Sequence, residues 1–405
     1  MKQGSLKSLI RNRDFVLMQF GFSTSRIGSF MQIVAVNWQL YQMTKSPVSL
    51  GILGIATFTA IFICSFISGL VADIFDRKKI IFLVQIFSII SASLLAYLTI
   101  SGHITPLLIY LLVGFDAGLY SFESPARQAM MPTIISRKDY PLAVNIGSIL
   151  MQLTNFVGPA LSGFIIAFYG VKTVYLINAA SFLAVIIALI YMSPLIKPVQ
   201  IPKFNLWEIK NGVKFVFKTP LIRSSMLLDF FATFFGSAMT LMPIFAVEIL
   251  KVGPTGMGFL YAAPSIGAVI AGLIFPLLSH FKEKGKMIVM AVIFYGLATL
   301  LFAISKIYWL SLIFIALAGA GDMISAVLRN IIRQLNTPNH LRGRMTAVNM
   351  VFYSGGPQLG EIEAGFAAKY LGTSFSVALG GLFTIIVTLI VVKKNPQLIR
   401  YLDVD

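Results

Sequence analysis

The chain has 405 residues, of which 57% are hydrophobic and only 12% charged, with a formal net charge of +17. A soluble domain is about a quarter charged, so this composition, with a mean hydropathy of +0.86, excludes a soluble enzyme or binding module and marks an integral membrane protein. A single cysteine, Cys64, sits inside an apolar run and excludes an intrachain disulfide or a cysteine-based metal site.

In chain order, Met1–Asp14 carries four basic residues before an apolar stretch too long for a signal-peptide core, so it leads into an uncleaved first span. Polar turns then separate twelve apolar runs, near 14–42, 48–72, 80–100, 105–123, 140–169, 171–192, 222–248, 256–281, 286–304, 307–328, 344–371 and 374–392. About 20 apolar residues cross a bilayer as a helix, and lipid offers the backbone no hydrogen-bond partner, so each run is predicted to be helical. With the N-terminus placed inside, the cytoplasmic segments hold 26 lysines and arginines and the outer segments 5, which predicts both termini in the cytoplasm. Arg127, Arg329 and Arg333 are counted among those cytoplasmic charges. The same distribution turns the basic excess into a topology signal spread over seven segments and removes a nucleic-acid partner. His103, His280 and His340 lie at span ends or in loops without ligand spacing, and no Gly-x-x-x-x-Gly-Lys-Ser/Thr loop is present, so neither metal, cofactor nor ATP is expected.

The longest connection, 193–221, separates an N-terminal half, 1–192, from a C-terminal half, 222–405. Within it, Leu206, Ile209, Val213 and Val216 alternate at helical spacing with Lys210, Lys214 and Lys218, beside Trp207, which predicts an amphipathic helix on the membrane surface. The halves repeat each other. Gly163-Phe-Ile-Ile-Ala-Phe-Tyr-Gly170 recurs as Gly365-Phe-Ala-Ala-Lys-Tyr-Leu-Gly372 at an offset of 202, Ala143-Val-Asn145 as Ala347-Val-Asn349 at 204, and Gly69-Leu70 as Gly272-Leu273 at 203. The expected fold is therefore all-α: twelve transmembrane helices in two pseudo-symmetric six-helix bundles.

One turn carries a recognisable pattern. Between the second and third runs stands Gly69-Leu-Val-Ala-Asp73-Ile-Phe-Asp76-Arg77-Lys78-Lys79. It resembles the loop of the major facilitator superfamily, Gly-x-x-x-Asp-x-x-Gly-Arg-[Lys/Arg]-[Lys/Arg], with Asp76 where most members have glycine. In the second half this loop has decayed, with Pro276 and His280 in place of the acid and the arginine. The resemblance implies a gating loop of Gly69, Asp73 and Arg77 that, with Glu123 at the cytoplasmic end of span four, latches the two halves on the cytoplasmic side. Gly158-Pro159-Ala-Leu-Ser-Gly163 resembles the helix-bending span-five motif of the superfamily's exporters, with one of its two final glycines matched one position late. Proline bends a helix, and glycine admits a close neighbour. Ser124-Pro-Ala-Arg127-Gln-Ala-Met-Met-Pro132 and Leu341-Arg342-Gly-Arg344-Met are similar to the subgroup that contains the enterobactin exporter and the macrolide efflux proteins.

A charge inside the membrane marks function by default. Arg26, Asp116, Asp229 and Asp322 fall one each in spans one, four, seven and ten, and Glu361 and Glu363 in span eleven. The resemblance implies that the first four of these spans line a central cavity for substrate and protons. Structural ion pairs, such as Arg26 with Asp116, are the plain alternative. Asp229 and Asp116 are the best-placed proton carriers, since a carboxyl in a poorly hydrated cavity takes up and releases protons near neutral pH. Three aspartates against one arginine, with Phe30, Met31, Phe230, Phe234 and Met239 nearby, suit a cationic or zwitterionic amphiphile. An anionic siderophore remains open if Arg26 is freed.

The expected activity is secondary active export of a small amphiphilic organic molecule, drug-like or siderophore, by proton antiport with alternating access across the inner membrane. The expected partners are the substrate, protons and the bilayer, with the protein a monomer. A proton-coupled nutrient importer of the same fold is the alternative, and a non-transporting membrane receptor a further one.

Overall fold

The computed structural model describes residues 5–194, 213–236, 239–278, 283–338, 341–399 and 401, leaving aside the side chains of Leu70, Asp73, Pro276, Leu277, Leu278, Ala347, Val351 and Ser354. The predicted linker helix at 204–218, with Trp207, lies outside these residues except for a helical segment at 213–218. Among the described residues there is no strand.

A short α1, Leu6–Arg11, precedes α2, Arg13–Thr44; then come α3, Pro47–Ile74; α4, Arg77–Ile100; α5, Pro106–Ile134; α6, Tyr140–Tyr169; and α7, Val171–Tyr191. The second half holds α8, Pro220–Phe235; α9, Gly253–Leu278; α10, Lys284–Ile304; α11, Tyr308–Leu335; α12, Arg342–Leu371; and α13, Thr373–Lys394. Among the described residues ten helical stretches are long and apolar enough to cross a membrane, and the more polar α2 and α12 stand where the first and eleventh spans are predicted.

Three boundaries differ from the sequence reading. The fourth span does not stop at 123. It continues through Pro125 to Ile134 and carries Arg127 within the helix. The tenth does not stop at 328 but runs to Leu335, bringing Arg329 and Arg333 inside it. The seventh is not one continuous helix. α8 ends at Phe235, and the chain resumes as a tight 3-10 turn, Met239–Leu241, then Met242–Ile244 and a π-helical turn, Phe245–Ile249.

Caps explain several ends. Asp76 accepts from the Lys78 N–H at 2.9 Å and caps α4, so the residue that departs from the family pattern has a helix-starting role. Asn12 accepts from the Phe15 N–H and donates to the Ile134 carbonyl at 2.7 Å, tying the start of α2 to the end of α5. Gly170 and Gly372 close α6 and α12 at φ of +79° and +85°, a region that favours glycine; they are the last residues of the two repeated octapeptides.

The chain packs as two compact units. Unit 1 holds the described residues of Met1–Lys45, Ala56–Phe204 and Gly253–Ala262; unit 2 holds those of Ser46–Ile55, Asn205–Val252 and Ala263–Asp405. In unit 1 a core of Met18, Phe22, Ile81, Val84, Met130, Val185 and Leu189 joins α2, α4, α5 and α7. In unit 2 Leu228, Ala232, Ile288, Val292, Leu328, Ile332 and Val391 join α8, α10, α11 and α13.

Candidate functional site: intramembrane charges in each half

In unit 2, α11 presents Asp322, Ser325, Arg329 and Arg333 at steps of three or four residues, which places them along one helix face. Arg329 is 1% exposed and Asp229, on α8, 3%. Arg329 Nη2 meets Asp229 Oδ1 at 3.0 Å and Arg333 Nη1 meets Asp229 Oδ2 at 3.1 Å, so one carboxylate sits between two guanidinium groups. Arg329 also donates to Ser325 Oγ at 2.8 Å and lies 3.5 Å from Asp322, whose side chain is 44% exposed. A buried charge is tolerable only when paired and hydrogen-bonded, and this network meets that condition for Asp229.

Two sequence expectations change as a result. Arg329 and Arg333 are not cytoplasmic loop charges; they are buried within α11. Asp229, expected to stand in an open cavity, is instead held by both guanidinium groups. The charge count changes as well: four arginines, Arg26, Arg127, Arg329 and Arg333, stand inside helices against three aspartates and the glutamates Glu123, Glu361 and Glu363, so acids still outnumber bases.

Just beyond this network the break after α8 is braced by Tyr295 of α10, whose hydroxyl donates to the Gly236 carbonyl at 2.9 Å. A Cβ on Gly236 would overlap the Tyr295 ring, so glycine is required for this approach. Glu361 lies half-buried on α12, one residue after Gly360, which abuts the Phe234 carbonyl. Among the described residues Glu361 has no hydrogen bond or ion pair. Phe230 stacks on Phe234 at 5.7 Å and meets Phe352 edge-on at 6.1 Å. A cavity of about 340 Å³ lined by Ile244, Glu248, Leu371 and Phe375 touches none of the charged residues of the network.

In unit 1, Asp116 lies in the middle of α5. Gln32 Nε2 donates to its Oδ2 at 3.0 Å, Asn178 Nδ2 donates to Gln32 Oε1 at 2.7 Å, and Ser181 Oγ donates to Asn178 Oδ1 at 3.1 Å. Gly28 makes room for this chain, since a Cβ there would overlap Ser181 and Asn178. The other oxygen of Asp116 is buried without a close hydrogen bond, with the Ser91 hydroxyl of α4 beside the carboxyl. Arg26 does not pair with Asp116, contrary to the structural alternative drawn from the sequence. It lies within electrostatic reach of Arg127, Tyr120 and Glu123.

Glu123 receives a hydrogen bond from Gln85 Nε2 at 2.9 Å and faces Arg127 Nε at 3.8 Å, while the Arg127 guanidinium lies 5.4 Å over the Phe22 ring. Arg77 donates to the Ala129 carbonyl at 2.7 Å and forms no ion pair with Glu123. Lys78 donates to the carbonyls of Met192 and Ser193 and holds the end of α7. The Asp73 side chain lies outside the described residues, and a Cβ on Gly69 would meet nothing within 4 Å.

The Gly158–Gly163 segment of α6 packs by close backbone approach. A Cβ on Gly158 would stand 2.9 Å from the Ile27 carbonyl of α2, and one on Gly163 would stand 2.7 Å from the Pro254 carbonyl and 3.0 Å from Gly258 Cα. Ser162 Oγ donates to the Met31 carbonyl at 2.8 Å, and Met31 itself is buried in unit 1. The same arrangement recurs in unit 2, where Gly360 abuts the Phe234 carbonyl and Gly365 abuts Gly51.

The chain matches the family model described as transmembrane secretion effector over residues 7–400. It is 27% identical to an enterobactin exporter of Salmonella choleraesuis over 368 residues, covering 91% of this chain and 89% of that protein. It is 26% identical to the enterobactin exporter of Citrobacter koseri, covering 91% and 88%. Among solved structures it resembles a bacterial homologue of the human lysosomal transporter Spinster, solved inward-facing and unoccupied, with a TM-score of 0.77 at 13% identity over 99% of this chain and 100% of the other.

Proposed function

The chain belongs to the transmembrane secretion effector family of the major facilitator superfamily, and on that premise we propose that this multi-pass membrane transporter is a proton-driven exporter of a small amphiphilic organic molecule, with a siderophore-like acid favoured over a lipophilic cation. It would work as a monomer in the cytoplasmic membrane with both termini inside, by alternating access of two halves, 1–192 and 222–405, joined by the 193–221 connection.

The observation that carries proton coupling is Asp116. Its carboxyl stands in mid-membrane, held by Gln32 on one oxygen while the other is buried without a close hydrogen bond. An unpaired carboxylate is not tolerated in such a place, whereas a carboxyl that binds a proton when enclosed and releases it when hydrated is the carrier an antiporter needs. Glu361, with no cationic partner among the described residues, is the second candidate. Export is supported by the family's description and by the relatives named as exporters. The preference for an acid rests on those relatives, which are named as enterobactin exporters. Asp73, Arg77 and Glu123 remain proposed elements of the cytoplasmic gate, with Arg77 acting on the end of α5 through Ala129.

The experiment is uptake of enterobactin and, separately, ethidium into inside-out vesicles carrying an imposed proton gradient, with and without an uncoupler. Uncoupler-sensitive accumulation of enterobactin that is lost in Asp116→Asn supports the proposal. Gradient-driven uptake that persists in Asp116→Asn and in Glu361→Gln refutes the coupling assignment, and accumulation of ethidium alone refutes the substrate class.

A further inference from the structure

Four of the helices that bear intramembrane charge, α2, α5, α8 and α11, bear it at corresponding positions. On α5, Asp116, Glu123 and Arg127 are spaced by seven and four residues; on α11, Asp322, Arg329 and Arg333 have the same spacing, each 206 residues later. Arg26 on α2 and Asp229 on α8 are 203 residues apart. The offset of 203 falls within the 202–204 that relate the two halves elsewhere in the sequence, and that of 206 exceeds it by two residues. Two of the four pairs have the opposite sign: Arg26 corresponds to Asp229, and Glu123 to Arg329. The last residue is arginine in both halves.

The contacts follow the same correspondence. In unit 2 the acid comes from α8 and lies between two arginines of α11, at 3.0 and 3.1 Å. In unit 1 the acid is Glu123 of α5, 3.8 Å from Arg127 of the same helix and within electrostatic reach of Arg26 from α2. In unit 2 one carboxylate stands between two guanidinium groups; in unit 1 Glu123 faces Arg127 directly and feels Arg26 at longer range, so the group on the neighbouring helix is an acid in one half and a base in the other.

We infer that Arg26–Glu123–Arg127 and Asp229–Arg329–Arg333 are two copies of one ion-pair station whose acid and base have exchanged helices between the repeats, and that each positions the first helix of its half against the fourth. Attraction between two helices does not depend on which of them carries the acid. A single reversal would set like charges against each other in a poorly solvating interior, so the reversal is stable only as a pair. The constant third arginine serves the acid from either location, because a residue four positions along α5 and one on the neighbouring α8 both face it. These charges are positioning residues, and their role does not require contact with the cargo.

The test rewrites unit 2 in the charge order of unit 1. Asp229→Arg and Arg329→Glu are made singly and together in the full chain, purified in detergent, and followed by thermal unfolding; transport of enterobactin is then measured in proteoliposomes. The inference expects each single change to lower the unfolding midpoint and to cut transport by about tenfold or more. The double variant should recover most of the midpoint, with KM unchanged and the maximal rate restored. A double variant no more stable than the worse single overturns the inference. Restored stability with a shifted KM overturns the positioning role in favour of direct cargo contact. If the single variants cannot be purified, membrane abundance of the double against the singles is the readout, with recovery supporting the inference and its absence refuting it. Should even the unaltered protein fail to move enterobactin, the proposed substrate fails while the unfolding comparison still decides this inference.

Discussion

The close approach at Gly163 gives a sharp stability prediction for Gly163→Ala. An added Cβ would stand 2.7 Å from the Pro254 carbonyl, 3.0 Å from Gly258 Cα and 3.0 Å from the Thr255 carbonyl. All three are backbone atoms on α9, so no rotamer change relieves the contact, and α6 must move away from α9. Overpacking of this kind costs about 1–3 kcal/mol. Against it stands the better helix propensity of alanine, about 1 kcal/mol over glycine. Gly147 on the same helix is the control, because a Cβ there would meet only the end of the flexible Gln19 side chain at 3.6 Å. Gly147→Ala therefore keeps the propensity gain without the clash, and the gain cancels when the two variants are compared. Gly163→Ala should be less stable than Gly147→Ala by about 1–3 kcal/mol, measured by denaturant titration of the purified protein in mixed micelles. Equal stability of the two variants would show that α6 and α9 do not meet at these backbones, and with that the packing account of the Gly158–Gly163 motif would fall.

Other perturbations have separable outcomes. Asp229→Asn leaves two buried guanidinium groups without their carboxylate and should cost about 3–5 kcal/mol in the same titration, while Asp322→Asn, at a half-exposed and longer contact, should cost under about 1 kcal/mol; similar losses would refute the ranking. Tyr295→Phe removes the hydroxyl that braces Gly236 and should cost about 1–3 kcal/mol, with faster amide exchange around residue 236; unchanged exchange would refute the brace. Hydrogen bonds from Ser8, then Ser136, hold the exposed carboxyl of Asp139 below the usual aspartate range. A depressed value in the folded chain stabilises docking of α1 at pH above about 3.9, the unfolded value, and that contribution is lost as pH falls through the folded value. Proteolysis after Arg11 or Arg13 should therefore rise at acid pH and, at neutral pH, in Asp139→Asn; an identical cleavage rate in that variant at neutral pH would refute it.

The sequence shows the helices because a span of hydrocarbon needs a run of apolar residues whatever its neighbours are. It shows the repeat for a related reason: Gly163 and Gly365 each touch backbone, where only glycine fits, and Gly170 and Gly372 each need positive φ. The depth of a charge is harder to read. Arg329 and Arg333 look the same in the sequence as Lys393 and Lys394, because the orientation rule counts basic residues near span ends without asking where their guanidinium groups point. The spacing of Asp322, Ser325, Arg329 and Arg333 on one face was the available signal, and it gains meaning once the face opposite is known to hold Asp229. The break after α8 leaves still less trace. A lone glycine in an apolar run is common in membrane helices, and what marks Gly236 as a break is Tyr295, some sixty residues away in sequence.

The repeat also separates two kinds of intramembrane charge. Arg26, Glu123 and Arg127 correspond to Asp229, Arg329 and Arg333, and both sets close on themselves within their own units. Glu361 has no counterpart in the other half, and Asp116 has one of the same charge in different surroundings. Asp116 corresponds to Asp322, yet it is held by an amide chain through Gln32 and Asn178, where Asp322 faces Arg329. Glu361 corresponds, at the offset of 202, to Pro159, which has no charge at all. A framework charge should persist in both copies of a duplicated bundle, because both copies need the same helices held together. A charge used once per transport cycle needs only one position. On that argument the paired residues should govern stability, and Glu361, with Asp116 in surroundings its counterpart Asp322 does not share, should govern the proton dependence of transport while leaving the unfolding midpoint nearly unchanged.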